Sequence, residues 1–277
     1  MSGLTQHELA TLLEETSRTF ALAIPLLEEP LATQVGAAYL VFRIADTLED
    51  APLWARDTRI AALRSFDAWM DGAPLHVPSP PSNDACVTLL ARADDVRATV
   101  ASFPAAAREA IASHAKRTAR GMADFVERQD ERGGIELRDV ADLQDYCYVV
   151  AGIVGEMLTE LFAIVAPSLD RASLGARAAA FGEGLQLVNI LKDGTSDAKE
   201  GRVYVPPSVP RTDVMALARA DLARAEEYIA LLAPAPESIR AFCTLPVRLA
   251  TATLDALASG AAKLTREDVM RIFASSR

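Results

Sequence analysis

The chain of 277 residues is 51% hydrophobic and 24% charged, which suits a globular protein with a sizeable core and excludes an intrinsically disordered chain. Its 38 acidic side chains outnumber the 28 basic ones, for a formal net charge of −10. This balance argues against nucleic acid as a partner, since such binding needs a broad basic surface.

Apolar residues recur at spacings of three and four along almost the whole chain, which predicts an all-α protein. Proline and glycine divide the pattern into about eight to ten helices, and no segment shows the alternation of a strand. Helix starts are expected at Thr5 and Thr265, each followed by an acidic residue three positions later as in a capping box, and at Asp139. We expect one domain spanning residues 1–277.

The longest apolar segment, Tyr146–Ala166, is interrupted by Glu156 and Glu160, so we interpret it as a buried core helix. The N-terminus carries glutamates where a secretory signal would have a basic start. Three cysteines lie far apart and without metal-ligand spacing, which is typical of a reducing compartment. These features predict a cytoplasmic protein.

A first acidic motif follows an apolar helical run. Asp46, Glu49 and Asp50 stand at positions i, i+3 and i+4, so their carboxylates share one helical face. Like charges at this spacing destabilise a helix, and a bound cation relieves the repulsion. Carboxylate oxygens are ligands that suit Mg²⁺, which often bridges to substrate phosphates. The alternative is a solvated acidic helix end.

A second acidic motif repeats this geometry later in the chain. Asp193 and Asp197 are one helical turn apart, and Asn189 and Gln186 extend the polar stripe towards the N-terminus. The loop that follows brings Arg202 close to these carboxylates in sequence. Two such motifs suggest that both acidic helices line one pocket. The alternative is that the motifs arose by chance, which is less probable for two matching motifs than for one.

Several polar and basic residues near the acidic motifs are candidates for binding an anion. Each alone is most often a surface residue, so their value lies in being adjacent to the carboxylates. These candidates are Ser17, Arg18, Arg43, Lys192 and Arg202.

Taken together, these segments resemble the squalene/phytoene synthase family of head-to-head prenyl synthases. The matching motifs occur in the family's order over nearly the whole chain. They are Ser17–Phe20 (SRTF), Asp46–Asp50 (DTLED), Gly121–Phe125 (GMADF), Tyr146–Gly155 (YCYVVAGIVG), Asn189–Asp193 (NILKD) and Gly201–Pro206 (GRVYVP).

The resemblance implies a prenyl synthase helical bundle around a central cavity, with Mg²⁺ held between the two acidic helices. It assigns diphosphate contacts to Ser17, Arg18, Arg43, Arg202 and Gln186, and metal contacts to Asp46, Glu49, Asp50, Asn189, Asp193 and Asp197. The implied catalytic residues are Tyr146, Tyr39 and Arg202, with the tyrosines assisting proton removal. Asn189 and Lys192 are the implied cofactor-binding residues. Lys192 replaces the arginine usual in the family, and Gly194 departs from its pattern before Asp197.

The late segment Ala241–Leu254 (AFCTLPVRLATATL) resembles the corresponding helix of squalene synthases more than that of phytoene synthases. The expected reaction joins two farnesyl diphosphates to presqualene diphosphate and then to squalene, with NADPH supplying a hydride. The chain carries no Gly-rich dinucleotide motif, so a nicotinamide would bind within the helical cavity. The alternatives are a sibling synthase that forms presqualene diphosphate, hydroxysqualene, dehydrosqualene or phytoene, and a non-catalytic relative. Peripheral membrane contact is expected for release of so apolar a product.

Overall fold

The computed structural model describes residues 3–17, 19–78, 80, 86–129, 135, 137–199, 201–261 and 263–276. All regular elements in these ranges are helical, which confirms the predicted all-α fold. The described ranges contain thirteen α-helices, more than predicted, because short irregular steps divide several apolar runs. Arg92, for example, leaves helical geometry and separates two short helices.

Contacts divide the chain into two compact units, residues 1–133 and 134–277. The single domain expected from the sequence therefore stays a prediction. The first unit is built around a 20-residue helix, α3, which contacts α1, α4, α5, α6 and α7. Its helices are α1 (Gln6–Thr16), α2 (Phe20–Ala23), α3 (Leu31–Asp50), α4 (Arg56–Met70), α5 (Cys86–Ala91), α6 (Ala93–Ala101) and α7 (Ala105–Glu127).

The second unit is built around α10, a 29-residue helix that contacts α8, α9, α11 and α12. A π-helical turn at Tyr148–Gly152 joins α8 to α9 and also packs on α10. The helices are α8 (Val140–Cys147), α9 (Ile153–Val165), α10 (Arg171–Lys199), α11 (Arg211–Leu231), α12 (Glu237–Ala258) and α13 (Arg266–Ala274).

All three predicted helix starts are confirmed by their capping hydrogen bonds. The Thr5 side chain accepts from the backbone N–H of Glu8, whose carboxylate accepts in turn from the backbone of Thr5. Thr265 opens α13 in the same reciprocal way. The Asp139 carboxylate accepts from a backbone N–H in the first turn of α8. These caps pair donors that would otherwise be unsatisfied at a helix N-terminus.

Two glycines bring α10 into backbone contact with α9 and with the π-helical turn that precedes α9. A Cβ atom on Gly155 would lie 1.9 Å from the carbonyl oxygen of Ala178, and one on Gly182 would lie 1.9 Å from that of Ala151. Both distances are far below van der Waals contact, so no larger residue fits without moving a helix. This contact determines how α10, which carries the second acidic motif, sits on the rest of its unit.

Two helical stretches, 140–165 and Glu237–Ala258, are long and apolar enough to cross a membrane by length and composition alone. Half of the most apolar window in each is buried inside the structure. Core helices of soluble proteins pass the same test, so these stretches are weak evidence for a membrane span.

We predict that Gly155→Ala and Gly182→Ala each lower the free energy of unfolding by about 2 kcal/mol or more, because the new methyl group overpacks a backbone contact. Gly175→Ala is the matched control on α10, since nothing lies within 4 Å of its Cβ position. That variant should stabilise by about 0.5–1 kcal/mol through helix propensity. Urea unfolding measures all three changes, and equal effects at the three glycines would contradict the close contact.

Candidate functional site

The first acidic motif occupies the C-terminal turns of α3, where its three carboxylates lie in different environments. The Asp46 side chain is 34% exposed, and Asp50 is also partly exposed. Glu49, by contrast, is buried to 3% exposure. Asp46 and Asp50 are therefore the members of the motif that solvent reaches, while Glu49 belongs to the interior of its unit.

Arg43, one turn before Asp46, forms an ion pair with that carboxylate. The Asp46 charge raises the pKa of the Arg43 guanidinium, so the cation stays protonated. The other end of the guanidinium lies 3.8 Å from the Cys86 sulfur. Arg43 is thus held beside the motif with part of its surface exposed, as expected for a residue that contacts an anion there.

Tyr39 lies one turn before Arg43 on the same helix. Its hydroxyl donates to the backbone carbonyl of Thr16 at 2.9 Å, and its ring packs against Phe20 at 5.5 Å between centroids. Burial raises the pKa of Tyr39, which keeps the phenol protonated. Ser17 lies in the same cluster and accepts from the backbone N–H of Phe20. Arg18 lies outside the described residues.

A buried arginine of α4 hydrogen-bonds to the backbone at the C-terminal end of α3. Arg59, 7% exposed, donates to the backbone carbonyl of Glu49 at 3.0 Å and to Gln129 Oε1 at 2.7 Å. A cation at this end of a helix is favourable because it pairs otherwise free carbonyls and complements the helix dipole. Arg56 also donates to the Gln129 carbonyl. This network holds the turn that carries Asp46 and Asp50.

The second acidic motif lies near the C-terminal end of α10. The Asp193 side chain is 48% exposed and Asp197 is 17% exposed. The Lys192 ammonium lies 3.2 Å from Asp193 and donates to the exposed Asn189 at 3.3 Å. Lys192 therefore supplies a compact positive charge, whereas an arginine at this position could donate two parallel hydrogen bonds to one anion. The helix continues through Gly194 to Lys199.

Gly201 lets the loop after α10 fold back towards the second acidic motif. Its φ of +80° lies in the left-handed region, where glycine carries no Cβ penalty. The backbone N–H of Gly201 donates to Ala198, and that of Arg202 donates to the carbonyl of Asp197 at 2.9 Å. This is the pairing of a Schellman motif. It also brings the Arg202 guanidinium 3.5 Å from the Asp197 carboxylate.

Tyr146, at the end of α8, is buried to 4% exposure. Its ring stacks on that of Tyr204 with 5.0 Å between centroids. Tyr204 lies two residues beyond Arg202, so this stack links the end of α8 to the loop that follows the second motif. Tyr204 falls within the Gly201–Pro206 motif but was not selected from the sequence as a site residue. The partly buried Gln186 lies two turns before Asp193 on α10.

The structure thus forms two clusters, one in each unit. Tyr39, Arg43 and Asp46 come together in the first, and Asp197 and Arg202 in the second. The pairing of both motifs in one pocket stays a prediction. Across the described ranges, no three or more His, Cys, Asp or Glu side chains are grouped so that they could hold a metal ion. Magnesium suits such a donor set, because it is often held by one or two carboxylates with phosphate oxygens and water completing its shell.

We predict that Gly201→Ala lowers the free energy of unfolding by about 1 kcal/mol, because a side chain disfavours the left-handed backbone. The Cβ position is otherwise open, so the cost is conformational. Gly194→Ala is the matched control, also open but helical, and should stabilise by about 1 kcal/mol. Chemical denaturation gives both values, and the same sign for both variants would be inconsistent with this loop geometry.

For the α3 anchor, we expect Arg59→Lys to destabilise the protein by about 1–3 kcal/mol, because one ammonium cannot replace both guanidinium hydrogen bonds. Arg56→Lys is the control, since the hydrogen bonds of Arg56 to Asp57 and to the Gln129 carbonyl lie nearer the surface. A double-mutant cycle with Gln129→Ala should show coupling with Arg59. Additive effects of the two substitutions would show that Arg59 does not act through Gln129.

Comparison with known proteins gives a consistent result. Residues 13–213 match the family model described as squalene/phytoene synthase. The squalene synthase of Gibberella zeae is 32% identical over 200 residues, which is 70% of this chain and 42% of that protein. A squalene synthase of Botryococcus braunii is 33% identical over 193 residues, 68% of this chain and 40% of that protein. The chain thus aligns with less than half the length of these relatives.

Solved structures agree at the level of the fold. A complex of TcSQS with a ligand has a TM-score of 0.81 and 26% identity, covering 97% of this chain and 84% of that one. A dehydrosqualene synthase has a TM-score of 0.66 at 22% identity, covering 97% of this chain and 93% of that one, and supports the fold alone. The family match over most of the chain, the ordered motifs and the shared all-α architecture lead to one conclusion: this chain belongs to the squalene/phytoene synthase family.

Proposed function

We propose that the protein is a prenyltransferase that condenses two farnesyl diphosphates head to head, forming presqualene diphosphate and then squalene. The observation that carries the proposal is the pair of acidic motifs, each with a basic side chain held beside it. Asp46 has Arg43, and Asp197 has Arg202. Carboxylates for a divalent cation next to cations for a phosphate form the donor set that a diphosphate substrate needs.

Mg²⁺ fits these residues by the chemistry of the donors. Asp46 and Asp50 would hold it on α3, and Asp193 and Asp197 on α10, with Asn189 in support. When bound, the metal neutralises diphosphate charge and promotes departure of the leaving group. Without it, two diphosphates would bring about six negative charges to a carboxylate-lined site, which is strongly unfavourable.

The chain's own cations would orient the diphosphates. Arg43 and Arg202 are each partly buried and already paired with a carboxylate, so little side-chain freedom is lost when an anion binds. Lys192, with Nζ between Asn189 and Asp193, would add a third positive charge. The assignment of Ser17 and Gln186 to the same task follows from the family resemblance.

The first half-reaction requires a base for one proton. The double bond of one prenyl chain attacks the allylic cation left by loss of diphosphate from the other, and proton loss closes the cyclopropane ring. The diphosphate released in this step would accept the proton, and the neutral Tyr39 hydroxyl, which donates to the Thr16 carbonyl, would assist the transfer by orienting the groups involved. Tyr146 is held by its stack on Tyr204. These two tyrosines are our candidates for assisting proton removal.

The second half-reaction ionises presqualene diphosphate, rearranges the carbon skeleton and ends with hydride addition from NADPH. Asn189 and Lys192 are the candidate contacts for that cofactor. Squalene carries no polar group, so transfer to a membrane follows its release, and we propose peripheral membrane contact of a cytoplasmic enzyme for this step.

We predict that purified protein given farnesyl diphosphate, Mg²⁺ and NADPH yields squalene, identified by the mass of extracted products. Asp46→Asn and Asp193→Asn should each lower turnover by at least about 100-fold, because each removes a charged ligand for the metal. Asp124→Asn in the first unit and Asp255→Asn in the second are matched controls, both more than half exposed, and should retain activity.

The products separate the alternatives. If the product is presqualene diphosphate or hydroxysqualene, the metal-dependent condensation is retained but squalene is not the final product. If the protein forms phytoene from geranylgeranyl diphosphate, the substrate is not farnesyl diphosphate. Normal turnover by folded Asp46→Asn and Asp193→Asn proteins would contradict the assigned site. Absence of turnover with either diphosphate would support the non-catalytic reading.

A further inference from the structure

The last two turns of α10, residues 192–199, carry the second acidic motif but contribute nothing to the core. Leu191, 2% exposed, is the last buried side chain of the helix. Every side chain from Lys192 to Lys199 is at least partly exposed. A Cβ atom on Gly194 would meet nothing within 4 Å. Hydrophobic burial therefore does not hold this segment in place.

The sequence of this segment also favours helix only weakly. Gly194, Thr195 and Ser196 are all poor helix formers. The like charges of Asp193 and Asp197, one turn apart, repel each other. The Ser196 hydroxyl donates to the backbone carbonyl of Asp193 at 2.7 Å, a local bond of the kind that competes with helix hydrogen bonding. The helical geometry here depends on contacts from neighbouring elements.

One such contact comes from Arg211, the first residue of α11. Its Nη2 donates to the backbone carbonyl of Leu191 at 2.7 Å, at the base of the segment. The antiparallel packing of the two helices brings these residues together, since Arg177 of α10 pairs with Glu227 near the other end of α11. Arg211 was not selected from the sequence, because no local pattern shows which carbonyl its side chain reaches.

This hydrogen bond approaches α10 from the side away from the carboxylates. At about 100° per residue, Asp193 and Asp197 stand about 200° and 240° around the helix from Leu191. The buried Leu191 marks the core-facing side of the helix. Arg211 therefore contacts the backbone on that side and does not occupy the face that carries the acidic motif.

The far end of the segment is fixed separately, by the loop that follows it. The turn at Gly201 ends α10, and the backbone N–H of Val203 donates to the carbonyl of Ile135 at 2.9 Å. The second acidic motif is thus supported at its two ends, by Arg211 at the base and by this loop at the tip. No buried side chain lies between these supports.

We propose that Arg211 is a positioning residue for the second acidic motif. Its hydrogen bond to the Leu191 carbonyl keeps residues 192–199 helical, and this holds Asp193 and Asp197 one turn apart for a divalent cation and a diphosphate. The ligand in this inference rests on the proposed function, whereas the effect of Arg211 on the segment exists without a ligand.

Amide hydrogen exchange of the ligand-free protein tests the effect on the segment. In Arg211→Ala, the amides of residues 192–199 should exchange about tenfold faster than in the wild type, because a hydrogen bond from a charged donor is lost. Exchange in α9 should not change. Arg211 is exposed, so its replacement leaves the core intact. Arg219→Ala is the matched control on α11, since Arg219 pairs with Asp255 and should not affect the segment.

Two further variants show whether the hydrogen bond itself is responsible. Arg211→Lys keeps a charged donor for the single carbonyl and should exchange more slowly than Arg211→Ala. Gly194→Ala stabilises the same segment through helix propensity, and its Cβ position is open. Adding Gly194→Ala to Arg211→Ala should therefore restore much of the lost protection.

Isothermal titration with inorganic pyrophosphate and Mg²⁺ gives the second readout. Arg211→Ala should bind about three- to fivefold more weakly than the wild type, since the ordered form that binds is less populated. Arg219→Ala should bind as the wild type does. If the wild type binds no pyrophosphate in the presence of Mg²⁺, the proposed function fails, and hydrogen exchange still decides whether Arg211 orders the segment.

The proposal is overturned if folded Arg211→Ala exchanges residues 192–199 at the wild-type rate. It is also overturned if the wild type binds magnesium pyrophosphate and Arg211→Ala binds it equally tightly, or if Arg211→Lys loses as much protection as Arg211→Ala.

Discussion

Repulsion among carboxylates on single helical faces is the constraint on which the candidate site depends. Asp46 and Asp50 stand one turn apart on α3, and Asp193 and Asp197 do so on α10. Each pair destabilises its helix slightly, so the remaining structure must hold the helix in place. Arg43 and Arg202 offset part of this charge without removing the capacity for a further cation. In the proposed function, a divalent cation together with an anion would neutralise the remaining charge.

The two helices are held in place by different means. In the first unit, the buried Arg59 pairs the end of α3 with Gln129 and thereby fixes the turn that carries the carboxylates. In the second, Gly155 and Gly182 allow backbone contact of α10 with α9 and the π-helical turn. Gly201 ends α10 in a turn that brings Arg202 back to Asp197. Rigid helices and short caps therefore carry the candidate residues, which is how functional groups keep a defined geometry.

Local features could be predicted from the sequence, and features that depend on distant neighbours could not. The caps at Thr5 and Thr265 involve residues only three positions apart, so the local sequence pattern was sufficient to predict them. The burial of Glu49 was not foreseen, because spacing places it with Asp46 but does not show which side of α3 faces the core. The stack of Tyr146 on Tyr204 depends on where the loop after α10 folds back, and the π-helical turn has no pattern that we recognised.

The proposed reaction requires that the acidic motifs bind a diphosphate through a divalent cation. Isothermal titration of the purified protein with inorganic pyrophosphate, with and without Mg²⁺, measures this binding without requiring turnover. We expect binding only when Mg²⁺ is present, and loss of that binding in Asp46→Asn or Asp193→Asn. Binding of equal strength without the metal, or undiminished binding by both folded variants, would contradict it.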